Sequence, residues 1–288
     1  MKTLSIIIPH FNSTALLPTL LDSIPLESWL DVIVVDDHSN EVEVAKLNQL
    51  MLDYPAFRLF SAPVGKKGPG VARNEGVKQS EANYVLFADS DDYFTENAFE
   101  LINPYLVSDN EVIYFAPDSI NVNSDQQGTR HDQYAQLVLG YLKTSDDNLF
   151  LKYYSPCSKV ISRNLLLEHD IQFDNGVGGE DNNFSLKVAY YSRKITADQN
   201  VIYIITESDD SLTSHYSKQV LENHFYAMSR YNDFLQSKNM HKYQAPMLGW
   251  IVKARKISYT NMFHWFFICL RKGYPIKFLY FLKKFNSL

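Results

Sequence analysis

Along the N-terminal part of the chain, short and nearly unbroken apolar runs alternate with stretches in which apolar residues recur every three or four positions. Leu4–Pro9 (LSIIIP), Leu30–Val35 (LDVIVV), Phe57–Phe60 and Tyr84–Ala88 (YVLFA) have the length of strands, and their continuous apolar content predicts strands covered on both faces. Between them, Leu16, Leu17, Leu20, Leu21 and Ile24 share one helical face behind Ser13, a residue suited to cap that helix. Glu41–Asp53 sets Val44, Leu47, Leu50 and Met51 on one face, and Val71–Ser80 reads as a third helix. Thr95–Val107 and Glu111–Phe115 continue the alternation. The series predicts an α/β fold with a doubly wound parallel sheet, whose ligands lie outside the carboxyl ends of the strands. From Pro117 to Thr129 the chain turns polar (ending NVNSDQQGT) and is expected to loop over a surface. Lys159–Ser162, the turn Gly178-Gly179-Glu180-Asp181 and a strand at Val201–Thr206 form a less regular half, with helices expected from Tyr216 onward.

Two acidic clusters close predicted strands: Asp36-Asp37-His38-Ser39 and Asp89-Ser90-Asp91-Asp92. Three carboxylates within four positions repel one another unless a cation or strong donors offset them. Asp89 and Asp91 are expected to project to the same side, because side chains alternate in an extended segment. Such a pair can reach Mg²⁺ or Mn²⁺, which prefer oxygen and leave positions open for phosphate. The competing reading is that these acids cap the helix beginning near Thr95. At the first cluster, a carboxylate can accept from a base N–H or from ribose hydroxyls; alternatively, Asp37 or Ser39 only caps the next helix. The loop Gly65-Lys66-Lys67-Gly68-Pro69-Gly70 precedes Arg73, a fixed positive charge suited to phosphate. Its spacing matches neither the Walker phosphate loop nor the dinucleotide fingerprint after the first strand.

Charge sharpens this picture. The chain carries 27 Lys and Arg against 33 Asp and Glu, a formal −6. Phe234–Leu288 holds ten basic residues and no acidic one, so the rest carries −16. An acidic body argues against general nucleic-acid binding and suits a protein that holds anionic substrates through a metal ion. Two cysteines, Cys157 and Cys269, cannot build a disulfide framework, so a reducing compartment is expected. No run approaches the roughly 20 apolar residues of a spanning helix, and the first apolar run is too short for a signal peptide. A cytoplasmic protein, peripheral on the inner face of the plasma membrane, is the expectation.

Five segments in order, Ser5–Asn12 (SIIIPHFN), Val32–Ser39 (VIVVDDHS), Gly70–Gly76 (GVARNEG), Tyr84–Tyr93 (YVLFADSDDY) and Gly179–Asn183 (GEDNN), resemble the motifs of family 2 glycosyltransferases of the GT-A fold. The likeness covers about the first 210 residues and implies an α/β fold of GT-A type, with a doubly wound, mixed and mainly parallel sheet. It implies a metal-dependent, inverting transfer of a sugar from a nucleoside-diphosphate sugar, commonly a UDP-sugar, to a glycan or lipid-linked acceptor in surface-polysaccharide assembly. By this resemblance Phe11 packs on the base, Asp37 with Asp36 behind it holds base and ribose, and Arg73 lies near the donor. Asp89 contacts ribose or sugar, Asp91 binds the Mg²⁺ or Mn²⁺, and Asp181 of the Glu180-Asp181 pair is the catalytic base. Asp92 and Glu180 are further candidates. His10 departs from the pattern, standing where a small or apolar residue is more usual. His215 is a candidate additional metal ligand, with a surface histidine as the alternative. Without the resemblance, Glu180 and Asp181 read as acids favoured in a first helical turn.

The expected organisation is a glycosyltransferase domain over 1–215, comprising a nucleotide-sugar half (1–116) and an acceptor-side half (117–215), then a helical, basic and aromatic extension over 216–288. In that extension Phe278, Phe281, Leu282 and Phe285 recur at helical spacing among lysines. The pattern suits a membrane-surface contact through 245–288 or packing on protein, a homodimer included. Lys159 and Arg163 are candidates for acceptor or donor phosphates, against a solvated strand-edge reading. Cys157 lacks the partners of a nucleophile. A sugar-1-phosphate nucleotidyltransferase would want a basic glycine-rich loop where His10-Phe11-Asn12-Ser13 stands, and a non-catalytic nucleotide-sugar-binding protein would have no need of both Asp91 and Asp181.

Overall fold

The structure, a computed structural model, describes residues 3–124, 126–207 and 217–276. The chain opens with β1 (Leu4–His10), α1 (Leu17–Asp22), β2 (Leu30–Asp36), α2 (Glu41–Leu50), β3 (Arg58–Ser61), α3 (Pro69–Gln79) and β4 (Tyr84–Phe87). It continues through β5 (Tyr93–Phe94), α4 (Ala98–Ile102), β6 (Val112–Asn121), β7 (Gln126–Gln127), α5 (Asp132–Thr144), α6 (Asn148–Lys152) and β8 (Lys159–Ser162). After these come α7 (Arg163–Glu168), α8 (Glu180–Tyr191), β9 (Ile195–Glu207), α9 (Lys218–Ser237), α10 (Leu248–Lys253) and α11 (Tyr259–Lys272).

The described strands form one sheet in the order β3-β2-β1-β4-β8-β6-β9-β5, with β7 paired to β6. β3, β2, β1 and β4 are parallel, as are β6 and β9, whereas β8 runs antiparallel to both neighbours. Every residue of β1 and β2 is buried, because helices cover both faces. Alternation divides β1 between two cores: Ile6 and Ile8 join the layer of Leu20, Leu47 and Phe99, while Ile7 joins that of Val77, Leu165 and Phe184. A Cβ at Gly76 would run into Ile7, so glycine lets α3 lie close on β1. A third cluster, built on Leu221, Phe225, Trp265 and Cys269, joins α9–α11 to Leu186 of α8.

Several expectations are corrected. Ser13 does not cap α1, which starts later without a side-chain cap; its hydroxyl instead meets Ser90 at 2.8 Å. Asn40, rather than Asp37 or Ser39, caps α2 by accepting from Glu43 N. The helix foreseen over Thr95–Val107 shortens to α4 and tightens into a 3₁₀ turn at Asn103–Val107, where Pro104 lacks an amide donor. The polar stretch from Pro117 is not all loop. β6 runs to Asn121 because β9, itself much longer than Val201–Thr206, pairs with it past a register shift at Phe115–Asp118. His215 and the row Phe278–Phe285 lie outside the described residues.

Candidate active site

The predicted acids gather where the parallel strands end. β1 and β2 pair as far as His10 and Asp36, and Asp37 N donates to His10 O at 2.7 Å. Asp36 is sunk beneath this edge: its Oδ1 lies 3.1 Å from His10 Nδ1, and its Oδ2 accepts from Ser39 N. His10 is buried and also meets the Thr14 hydroxyl, so its departure from the family pattern is spent on framing Asp36 rather than on a base. Asp37 Oδ2 accepts from Gly68 N at 2.8 Å, whereas its buried Oδ1 has no partner among the described residues. Burial pushes the Asp37 carboxyl above the usual range, against the lowering effect of Gly68 N. Phe11, one residue past the pairing, is half-exposed, with Lys67 Nζ 4.2 Å from its ring centre.

The loop before α3 is clamped to the segment before α8. Gly68 has φ +123°, and a Cβ there would strike Gly176 O; one at Gly70 would sit 2.7 Å from Asp174 O. Asn74 closes the clamp by bonding both N and O of Phe173. One turn into α3, the buried Arg73 opens its fork toward two carboxylates: Nη2 donates to Asp89 Oδ1 at 2.6 Å and Nη1 to Asp181 Oδ1 at 3.1 Å. Burial opposes the Arg73 charge, but Asp89 and Asp181 outweigh it and hold its pKa above the ordinary value. Asp89 and Asp181, far apart in sequence, thus meet across one guanidinium.

Within the second cluster the carboxylates separate. Asp92 is buried and accepts from Tyr203 OH and Thr206 N, each at 2.8 Å, so it is spent on the frame and does not cap α4. Burial and the charges of Asp89 and Asp91 raise its pKa well above the normal value. The Tyr203 hydroxyl also accepts from Asp89 N. Asp91 is exposed; desolvation by its surroundings and the charge of Asp89 raise its pKa. Among the described residues no three His, Cys, Asp or Glu groups form a metal cage. The donor set present, Asp91 beside Asp89, is that of a Mg²⁺ or Mn²⁺ taking one or two carboxylates and completing its shell with phosphate oxygens and water. The residues therefore fit such an ion as a partner of a diphosphate, not as a preformed protein cage.

α8 begins behind Gly179, at φ +80°, with Glu180 and Asp181 in its first turn. Glu180 Oε2 takes the Gly178 amide at 2.7 Å and shapes the turn. Burial pushes Asp181 up to about 7, with Arg73 pulling it down and Glu180 and Asp89 pushing it further up. Lys159 is not a solvated edge charge. It is fully buried, and its Nζ donates to Tyr153 O at 2.7 Å and Ser185 Oγ at 3.1 Å beneath two tyrosine rings. Burial lowers its pKa to about 7. Sequence reasoning missed Tyr203, Ser90, Gly68 N and Lys67 as parts of the site. All four act through contacts between distant segments, for which the local pattern carries no signal.

The chain belongs to glycosyl transferase family 2, whose model matches residues 5–169. It is 37% identical over 100 residues to the poly(ribitol-phosphate) beta-glucosyltransferase of Bacillus spizizenii, covering 33% of this chain and 16% of that protein. It is 24% identical over 224 residues to the poly(ribitol-phosphate) beta-N-acetylglucosaminyltransferase TarS of Staphylococcus aureus strain MW2, covering 75% of this chain and 38% of TarS. The chain thus spans well under half the length of these relatives. The crystal structure of S. aureus TarS 1-349 in complex with UDP-GlcNAc shares the fold, with a TM-score of 0.67 at 22% identity over 91% of this chain and 75% of that one.

Proposed function

We propose that the chain is an inverting glycosyltransferase that moves a sugar from a nucleoside-diphosphate sugar, a UDP-sugar in particular, to a hydroxyl of a glycan or lipid-linked acceptor in surface-polysaccharide assembly. The observation that carries this reading is the Arg73 fork, which ties Asp89 and Asp181 to one buried guanidinium. At the donor end, Asp37 Oδ1 is a buried acceptor in want of a donor, and the imide N–H of a uracil supplies one beside the Phe11 ring. The relatives named poly(ribitol-phosphate) glycosyltransferases and the UDP-GlcNAc complex of TarS agree with a UDP-sugar and a polyol or glycan hydroxyl.

Asp91, with Asp89 beside it, would hold the Mg²⁺ or Mn²⁺. When bound, that ion neutralises charge developing on the departing diphosphate. Asp181 takes the proton of the acceptor hydroxyl, whose acidity rises as its oxygen bonds to the anomeric carbon. A carboxylate whose pKa burial has lifted to about 7 is a stronger base than an exposed one and still largely ionised in mild alkali. Residues 1–215 form the transferase domain in this reading, and 216–288 an appended helical unit.

A thermal-shift and hydrolysis screen across UDP-, GDP- and TDP-sugars, with Mn²⁺ and with EDTA, tests the proposal. A metal-dependent response to UDP-sugars is expected. Equal indifference to all three nucleotides would overturn it.

A further inference from the structure

Helix α11 has two apolar faces, and among the described residues only one is packed inside the molecule. Trp265 and Cys269 are buried, with Trp265 stacked on Phe225 of α9 at 4.1 Å between ring centres. On the other side Tyr259, Phe263, Phe267 and Leu270 are 71%, 56%, 62% and 54% exposed. Their spacing sets them in one row along the helix. Folded proteins seldom leave a continuous aromatic row in water without a use for it.

The charges around the row say what suits it. Arg271 is exposed on the helix itself, and Arg255 and Lys256 are exposed just before it. Lys272, on the inward side, is tied to Asp233 at 3.1 Å. No acidic residue occurs from Phe234 to the end of the sequence, against ten basic ones. A second copy docked symmetrically on this row would bring cation against cation with no acid from this stretch between them. The complement of an aromatic row edged with cations is an apolar layer just below a negatively charged one, the interface of an anionic bilayer. α11 has 14 residues and is about 21 Å long, short of the roughly 30 Å of a bilayer core. No helix among the described residues is long and apolar enough to cross a membrane, so contact would run along the surface.

We propose that α11 docks flat on an anionic lipid surface through Tyr259, Phe263, Phe267 and Leu270, with Arg255 and Arg271 meeting the headgroups. This goes beyond the transferase reading and does not depend on it. The test is co-sedimentation of the full chain with phosphatidylcholine vesicles, with and without phosphatidylglycerol. The full chain should partition into the anionic vesicles at least roughly tenfold better than into the neutral ones. Phe263→Glu with Phe267→Glu should lower that partition by roughly a hundredfold. Phe263→Leu with Phe267→Leu should retain most of it, and circular dichroism should show both variants folded. Unchanged pelleting of the Glu variant overturns the proposal, as does absence of wild-type binding. Conversion of a wild-type oligomer to a monomer by the Glu pair, without vesicle binding, also overturns it and assigns the row to a second copy. UDP affinity is expected to be the same in all variants, so failure here leaves the transferase reading intact.

Discussion

The ends of β2 and β4 make the same kind of site by different means. Each is a buried strand that finishes in neighbouring acids, and in each one acid is spent on the frame while another keeps an oxygen outside it. At β2 the framing acid is Asp36, held by His10 on the adjacent strand and by Ser39 in its own turn, which leaves Asp37 Oδ1 without a partner among the described residues. At β4 it is Asp92, held by Tyr203 and Thr206 on β9, 111 and 114 residues further on, which leaves Asp91 exposed. The Asp36 frame is therefore complete once the first two strands pair, although Asp37 also needs Gly68 N from the loop before α3. The β4 end takes shape only when the second half of the chain docks. Glu180 and Asp181 repeat the division: Glu180 secures its turn and Asp181 faces Arg73. In the proposed reading, each such pair supplies one strut and one working carboxylate rather than two working carboxylates.

This division can be broken experimentally. The largest effect is expected from Asp181→Asn, which removes the proton acceptor and should cut acceptor-dependent transfer by about 10²–10⁴-fold. UDP affinity, measured by calorimetry, should stay within a few-fold of wild type. A wild-type transfer rate would show that Asp181 is not the base.

Next comes pH. The Asp181 pKa is raised to about 7, so its proton-accepting form is scarce in acid. The initial rate should climb about tenfold per pH unit below 7 and level off above it. The residual rate of Asp181→Asn should lack that rise.

Asp91→Asn and Asp92→Ala separate ligand from strut. The first should weaken Mn²⁺-dependent UDP binding by about 10-fold or more and leave the melting temperature unchanged. The second strands Tyr203 OH and Thr206 N and should cost about 1–3 kcal/mol in denaturant unfolding. If the two variants exchanged phenotypes, the roles assigned to Asp91 and Asp92 would have to be reversed.

The smallest effect concerns Lys159. Burial holds its folded pKa near 7, below the ordinary 10.5, so the unfolded chain binds the extra proton between those values. Its contribution therefore makes stability increase with pH from 7 toward 10.5. The melting temperature of Lys159→Met should respond less to a change from pH 7 to 9 than that of the wild type.

Much of the donor half was legible because its information is local. Continuous apolar runs mark doubly covered strands, and acids directly after them stand at carboxyl ends whatever surrounds them. The segments flanking Arg73 and Asp181 could be named, but not their meeting. That meeting depends on Gly68 and Gly70 approaching the 173–176 backbone and on Asn74 fastening Phe173. Lys159 was misjudged for the same reason. A lysine at the start of a short strand looks solvated until Tyr114, Tyr153 and Ser185 close over it.

The sequence by itself determined the alternation of elements, the acidic strand ends, the charge contrast between body and tail, and the motifs of the family, because each is written within a few consecutive residues. Only the tertiary structure decided which acid of each pair is a strut, that one buried arginine gathers Asp89 and Asp181, and which row of α11 the described residues leave uncovered. Those outcomes depend on desolvation and on hydrogen bonds between distant segments, whose energies exist only once the chain has packed.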